Sequence, residues 1–169
     1  MPGLEPKARK GAIMMFSYRL VRLIETHANT LAVGLEKKVI NSLQTRSYRD
    51  IPPHELQERV YEIYRHLGEW LLGENQELLE KRYREIGARR AKQTVPLAEL
   101  IQAIILTKEN LWDFLKSEAV VDRAVEIMGE LELLQMLERF FDHAIYFAAL
   151  GYQQQVELLE RERELVAEP

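Results

Sequence analysis

Apolar residues return every third or fourth position along almost the whole chain, and this period limits the possible folds more than any single motif does. Leu20, Leu23, Ile24, Leu31, Leu35, Val39 and Leu43 keep it in one stretch, and Leu56, Val60, Ile63, Leu67 and Leu71 keep it in the next. Residues so spaced fall on one face of a 3.6-residue helix, whereas a half-buried strand needs strict alternation. The expected class is therefore all-α. The eight glycines and six prolines are few, and the prolines fall at the ends of periodic stretches, as they do where long helices meet in short turns. With 169 residues, 47% hydrophobic and 30% charged, the chain can bury one core. A helical bundle of five to six helices with a long carboxy-terminal connector helix follows.

Residues 1–11, which include Pro2, Gly3, Pro6 and Gly11, are expected to form a flexible amino terminus. A first helix is expected over residues 12–45, bent near Gly34. Pro53 suits the first position of a second helix, Glu55 its positive end and Gly73 its close. A third helix over residues 75–93 points Leu79, Tyr83 and Ile86 inward, and Arg82, Arg84, Arg89, Arg90 and Lys92 favour its carbonyl end. Val95 is pushed out of the helical region by Pro96, which opens a fourth helix with Leu100, Ile104, Leu111, Trp112 and Leu115 inward.

From about residue 119 to 166 the chain reads as helix, with an interruption expected near Gly129. Leu134, Leu137, Phe141, Ala144, Ala148 and Gly151, continued by Gln155 and Leu158, alternate spacings of three and four, the period of a coiled-coil seam. Ala144, Ala148 and Gly151 are small enough to admit a second helix closely. The first six of these residues are the expected dimer and signal helix. Beyond Gln153 the apolar surface is too sparse for independent folding. Residues 12–152 are thus the helical sensory or regulatory domain and residues 153–169 the connector.

No stretch reaches the roughly 18 apolar residues of a spanning helix, so no membrane insertion is expected. The opening MPGLEPKARKGAIMMFSYRL lacks the apolar length and small-residue cleavage site of a secretory signal. The chain has no cysteine, which removes disulfides, thiolate nucleophiles, iron–sulfur ligation and covalent c-type haem attachment. A cytoplasmic protein is expected. The net charge of −4 divides into +5 over residues 1–50, −1 over 51–116 and −8 over 117–169. Oppositely charged ends favour solvated helix faces that attract one another, and a basic stretch with an acidic partner in the same chain is a poor phosphate footprint. No nucleic-acid partner is expected.

Several short patterns coincide: Gly-x-Arg-Arg-Ala at 87–91, Val-Pro-Leu-x-Glu-Leu at 95–100, Leu-Trp at 111–112, Phe-Phe-Asp-x-Ala-Ile at 140–145 and Gly-Tyr at 151–152. In this combination the chain, from about Leu23 to Tyr152, resembles the amino-terminal domain of RsbT co-antagonist proteins. That RsbRD-type helical sensor module is also found in front of bacterial histidine kinases and transcription regulators. The resemblance implies a dimeric, all-helical input domain, related in some members to a globin fold without haem, whose last helix passes a signal to an output domain. Such modules share a scaffold and differ in what they respond to, so the resemblance names no ligand.

Catalysis is not expected. The glycines never form a phosphate-cradling GxGxxG or GxxxxGK loop, and carboxylates such as Glu126, Glu130, Glu138 and Glu157 follow solvent faces. His54 with Glu58, and Glu62 with His66, lie one helical turn apart. The paired Glu-x-x-His of a di-iron bundle is missing, and no metal site is expected. His66 and His143, each beside an apolar stripe, are the candidate axial ligands if a haem is bound; otherwise no cofactor is expected. Arg89 and Arg90, with Tyr83, Trp70 and Trp112, form the candidate ligand or partner site, because guanidiniums grip carboxylates in bidentate pairs and aromatics wall pockets. The plainer reading pairs the arginines with Glu85 or Glu99 at a helix end and assigns the aromatics to the core.

The leading reading is a non-catalytic sensory or regulatory input domain that forms a homodimer and relays a signal to an output domain, covalently linked or separate. One rival is a haem or small-molecule sensor with a pocket between helices. The other is a stand-alone protein adaptor that uses the basic helix end.

Overall fold

The apolar period yields helices throughout the computed structural model, which describes residues 6–73, 75–117 and 124–167. Six α-helices follow in order: α1 (Pro6–Thr26), α2 (Ala28–Asn41), α3 (Pro53–Gly73), α4 (Gln76–Lys92), α5 (Leu97–Ser117) and α6 (Ala124–Ala167), with a 3-10 segment at Leu43–Asp50. Among the described residues there is no strand. The most extensive pairing is α4 against α6; α1 lies on α3 and α6, while α2 lies on α3 and α5. Tyr83, Phe140, Phe141, Leu67 and Leu111 fill the middle of one continuous core. α1 begins inside the stretch expected to fray.

The single helix expected over residues 12–45 is two helices and a 3-10 segment. The break falls at His27, not at Gly34. The His27 ring nitrogen Nδ1 sits 3.0 Å from the Leu23 carbonyl oxygen, and its backbone (φ −110°, ψ 19°) leaves the helical region. Gly34 instead lies within α2, where a Cβ would come 2.8 Å from the side-chain oxygen of Asn110. Asn110 donates to the Leu31 carbonyl at 3.0 Å and to the Tyr64 hydroxyl at 2.8 Å, so it ties α2, α3 and α5 at one buried point. α2 stops at Asn41 because Ser42 turns extended and its hydroxyl accepts from the Gln44 N–H. The carbonyls left over are taken up by side chains: Thr45 donates to Val39 at 2.6 Å and Arg49 to Ile40 at 3.0 Å.

α3 runs from Pro53 to Gly73 as expected, and α4 is capped by Asn75, whose side-chain oxygen accepts from the Leu78 N–H at 3.1 Å. The joint after α4 is a Schellman-type close: Val95 N–H reaches the Arg90 carbonyl and Thr94 N–H the Ala91 carbonyl, both at 3.0 Å. Its left-handed position is held by Thr94 (φ 58°), where glycine is the usual occupant. α6 runs unbroken through Gly129. Its expected start near residue 119 lies outside the described residues, as do the side chains of Glu126 and Glu130.

Candidate functional site

The crossing of α4 and α6 gathers most of the pattern residues. A Cβ on Gly87 would overlap the Ala148 carbonyl oxygen and lie 2.8 Å from the Tyr152 nitrogen, and one on Gly151 would overlap the Arg84 carbonyl and lie 2.5 Å from its Cα. The two backbones touch because neither glycine carries a side chain. Ala144 and Ala148 are fully buried beside them. The Tyr152 hydroxyl then donates to the Val95 carbonyl at 2.6 Å, and Glu99 accepts from the Ser47 N–H at 2.7 Å and from its hydroxyl at 3.1 Å. Gly87, Val95, Glu99, Gly151 and Tyr152 thus secure the α4–α5 joint and the last helix to the bundle.

Of the six residues expected to form the dimer and signal helix, Leu137, Phe141, Ala144, Ala148 and Gly151 are buried within this chain, and Leu134 is half-buried against the same core. The close approach that small residues permit is made with α4. Phe140, fully buried, was not assigned to that seam; it meets Tyr83 edge-on at 5.8 Å and Trp70 at 6.2 Å. A core-facing stripe is wider than a two-position seam, which is the signal that finds it.

The basic helix end is unevenly open: Lys92 is exposed, Arg89 half-buried and Arg90 buried. Arg90 is only 3% exposed. It donates to Gln93 at 2.6 Å and to Glu55 on α3 at 3.4 Å, and its guanidinium stands 5.1 Å over the Tyr48 ring. Its acidic neighbour is Glu55, and neither Glu85 nor Glu99 fills that place. A hydrogen bond from Gln93, then the guanidiniums of Arg90, Arg59 and Arg89, hold the Glu55 carboxyl below the usual range. Burial, reinforced by Arg59, lowers Arg89 from its ordinary value. Burial pushes the Tyr48 hydroxyl up to about 12 and raises Tyr83 further.

The three aromatics do not share one pocket. Tyr83 and Arg90 line a cavity of about 40 Å³ between α2, the 3-10 segment, α3, α4 and α5. Trp70 lines a cleft of about 10 Å³ with His66 and Arg82. Trp112 is half-buried and donates to Glu138 at 3.3 Å, and Glu138 also takes Lys108 at 3.1 Å. His66 is buried, and burial with the nearby Arg82 lowers its pKa to about 4. His143 packs on Trp70 and Phe147 at 6.0 and 6.1 Å. The space beside His66 is that of one water, so a porphyrin there requires α3 and α4 to part.

Among the described residues no three His, Asp or Glu side chains converge for a metal ion, and no helix is long and apolar enough to cross a membrane. What fold and site define is an all-helical bundle whose pattern residues hold helices together, with a long terminal helix. Residues 36–166 match the RsbT co-antagonist protein rsbRD N-terminal domain, and the chain belongs to this family of regulatory domains. No curated protein and no solved structure matches the chain.

Proposed function

We propose that the chain is the non-catalytic input domain of a bacterial, stressosome-type signalling protein of the cytoplasm. It pairs as a homodimer, and α6 carries a change of packing to an output domain, covalently linked or separate. One observation carries this reading: α6 outruns its bundle. Its residues 137–151 include the best-buried side chains of the helix, whereas Leu158, Leu165 and Val166 are 51%, 74% and 87% exposed. A helix with so few tertiary contacts is marginal alone, and apolar side chains repeated along it call for a second helix. Met15 and Tyr18 on α1, and Leu131 and Tyr146 on α6, add further exposed apolar groups. Because the small residues of α6 are occupied by α4, pairing uses these outer positions, and the α4–α6 crossing is the bistable element that an input biases.

Sedimentation of the chain tests this reading. The expected result is a dimer that dissociates when Leu158, Leu165 and Val166 are together replaced by Ser with the fold retained. A strict monomer in the micromolar range removes the homodimer from the account. A second reading, a small-molecule-responsive domain, is favoured by the cavity between α2, α3, α4 and α5.

A further inference from the structure

The two sides of α1 differ in chemistry. Leu20, Val21 and Ile24 are buried where the helix lies on α3 and α6. Away from them, Gly11, Met15, Tyr18 and Arg22 follow one another at spacings of four, three and four, and all four are exposed. Such spacing draws one outward stripe along a 3.6-residue helix. Met15 is 58% and Tyr18 54% exposed, and a Cβ on Gly11 would meet nothing within 4 Å. The same register puts Lys7 one turn before Gly11.

The charge of this helix is one-sided as well. Between Pro6 and Thr26 stand Lys7, Arg9, Lys10, Arg19 and Arg22, against the single acid Glu25 on the last turn. The exposed apolar pair therefore has cations before it and after it along the chain. The family match begins at residue 36 and leaves α1 outside it, so the family gives this stripe no role. A single convex helix face with glycine in its length offers no groove to enclose a peptide or a small molecule. A flat anionic surface answers both parts of its chemistry. Lys and Arg side chains are drawn to phosphate head groups, while methionine and the amphipathic ring of tyrosine settle at the boundary between head groups and acyl chains. α1 is not long and apolar enough to cross a membrane, which suits a helix that lies on one.

We infer that the outward stripe of α1 is a docking surface for an anionic phospholipid membrane. Lys7, Arg9 and Lys10 supply the attraction, and Met15 and Tyr18 supply the apolar contact. The helix rests along the surface and holds the bundle to it through Leu20, Val21 and Ile24. This goes beyond the input-domain reading, whose homodimer is tested on α6.

The test is sedimentation of the intact chain with vesicles of phosphatidylcholine, with and without phosphatidylglycerol, at about 0.15 M salt, where weak long-range attraction is screened. Binding is expected to be at least roughly tenfold stronger with phosphatidylglycerol present. Replacing Lys7, Arg9 and Lys10 together by Gln is expected to weaken it roughly a hundredfold, since each cation near an anionic leaflet contributes about fivefold. Met15→Ser with Tyr18→Ser is expected to weaken it roughly tenfold at an unchanged Tm, because both side chains are exposed. Gln at Lys37, Arg46 and Lys81, exposed positions on other elements, removes the same charge and is expected to change binding by less than about twofold. If the chain ignores phosphatidylglycerol, if the two sets of charge replacements act alike, or if the serine pair binds as the parent does, no membrane surface is recognised by α1 and the inference fails. It fails equally if the serine pair dissociates a dimer, which assigns the stripe to a second copy. Vesicle binding that persists in the Leu158, Leu165 and Val166 triple variant keeps this result distinct from the homodimer.

Discussion

The inner and outer halves of α6 share one apolar period but live in different surroundings. From Leu137 to Gly151 the stripe is sealed against α4 so tightly that two glycines are needed where the backbones meet. From residue 160 to 167 every position is exposed, including Leu165 and Val166. The contrast teaches that the same spacing of side chains specifies contact with a helix without saying whose helix it is.

The largest test of the contrast compares truncations on the two halves. Phe140→Ala is expected to cost about 3–5 kcal/mol in urea unfolding, whereas Leu158→Ala is expected to stay within about 0.5 kcal/mol at concentrations where the chain is monomeric. Comparable losses would show that the outer half is packed in solution.

Gly151→Ala, at the border of the halves, is expected to force α4 and α6 apart at a cost of about 3 kcal/mol, read by thermal melting. The same substitution at Gln155 is expected to be nearly silent. Full tolerance at Gly151 would mean that the crossing is loose.

Acid is expected to strike the inner side first. His66 lies in the cleft with Trp70, which packs on Phe140 and His143 of α6. Its pKa falls from 6.5 to about 4 on folding. The unfolded chain therefore binds the proton more readily, and His66 contributes full stability above pH 6.5 that is lost as the pH drops through 4. The loss is on the order of 2–3 kcal/mol, and denaturation curves at pH 7 and pH 5 should register its onset. His66→Gln is expected to flatten that interval. Glu55, whose carboxyl is held below its usual range, weakens the fold in the same direction but at lower pH.

The smallest expected effect concerns the joint that anchors Tyr152, where the two halves of α6 meet. Thr94→Gly relieves a left-handed, β-branched position and should stabilise by up to about 1 kcal/mol, visible as a higher urea midpoint. A decrease would show that the Thr94 hydroxyl, which donates to the Gln93 carbonyl at 2.7 Å, outweighs the backbone strain.

Much of the fold was legible because the deciding signals are local. Pro53 and Gly73 bound α3, Pro96 opens α5, and the period of α6 needs no knowledge of its neighbours. The break at His27 was not legible, since no glycine or proline marks it and the ring caps its own helix. The 3-10 segment depends on Thr45 and Arg49 reaching carbonyls six and nine residues back. The partners of Arg90 were not legible: the sequence offered Glu85 or Glu99, whereas Glu55 and Tyr48 are distant in sequence and nothing local announces them. The small residues of α6 mark a place where a helix can come close, but they could not say that α4 is the neighbour. Tyr83 and Arg90 were both singled out; that they share a cavity while Trp70 and Trp112 stand elsewhere follows from which helix faces meet.

One property of α6 has a mechanical corollary. It is a continuous rod fixed near Gly151 and exposed beyond its own bundle toward Ala167, an arm of about 24 Å at 1.5 Å per residue. A tilt of about 5° at the fixed point sweeps the far end through roughly 2 Å. Such a lever magnifies displacements at the crossing too slight to disturb the packing around them.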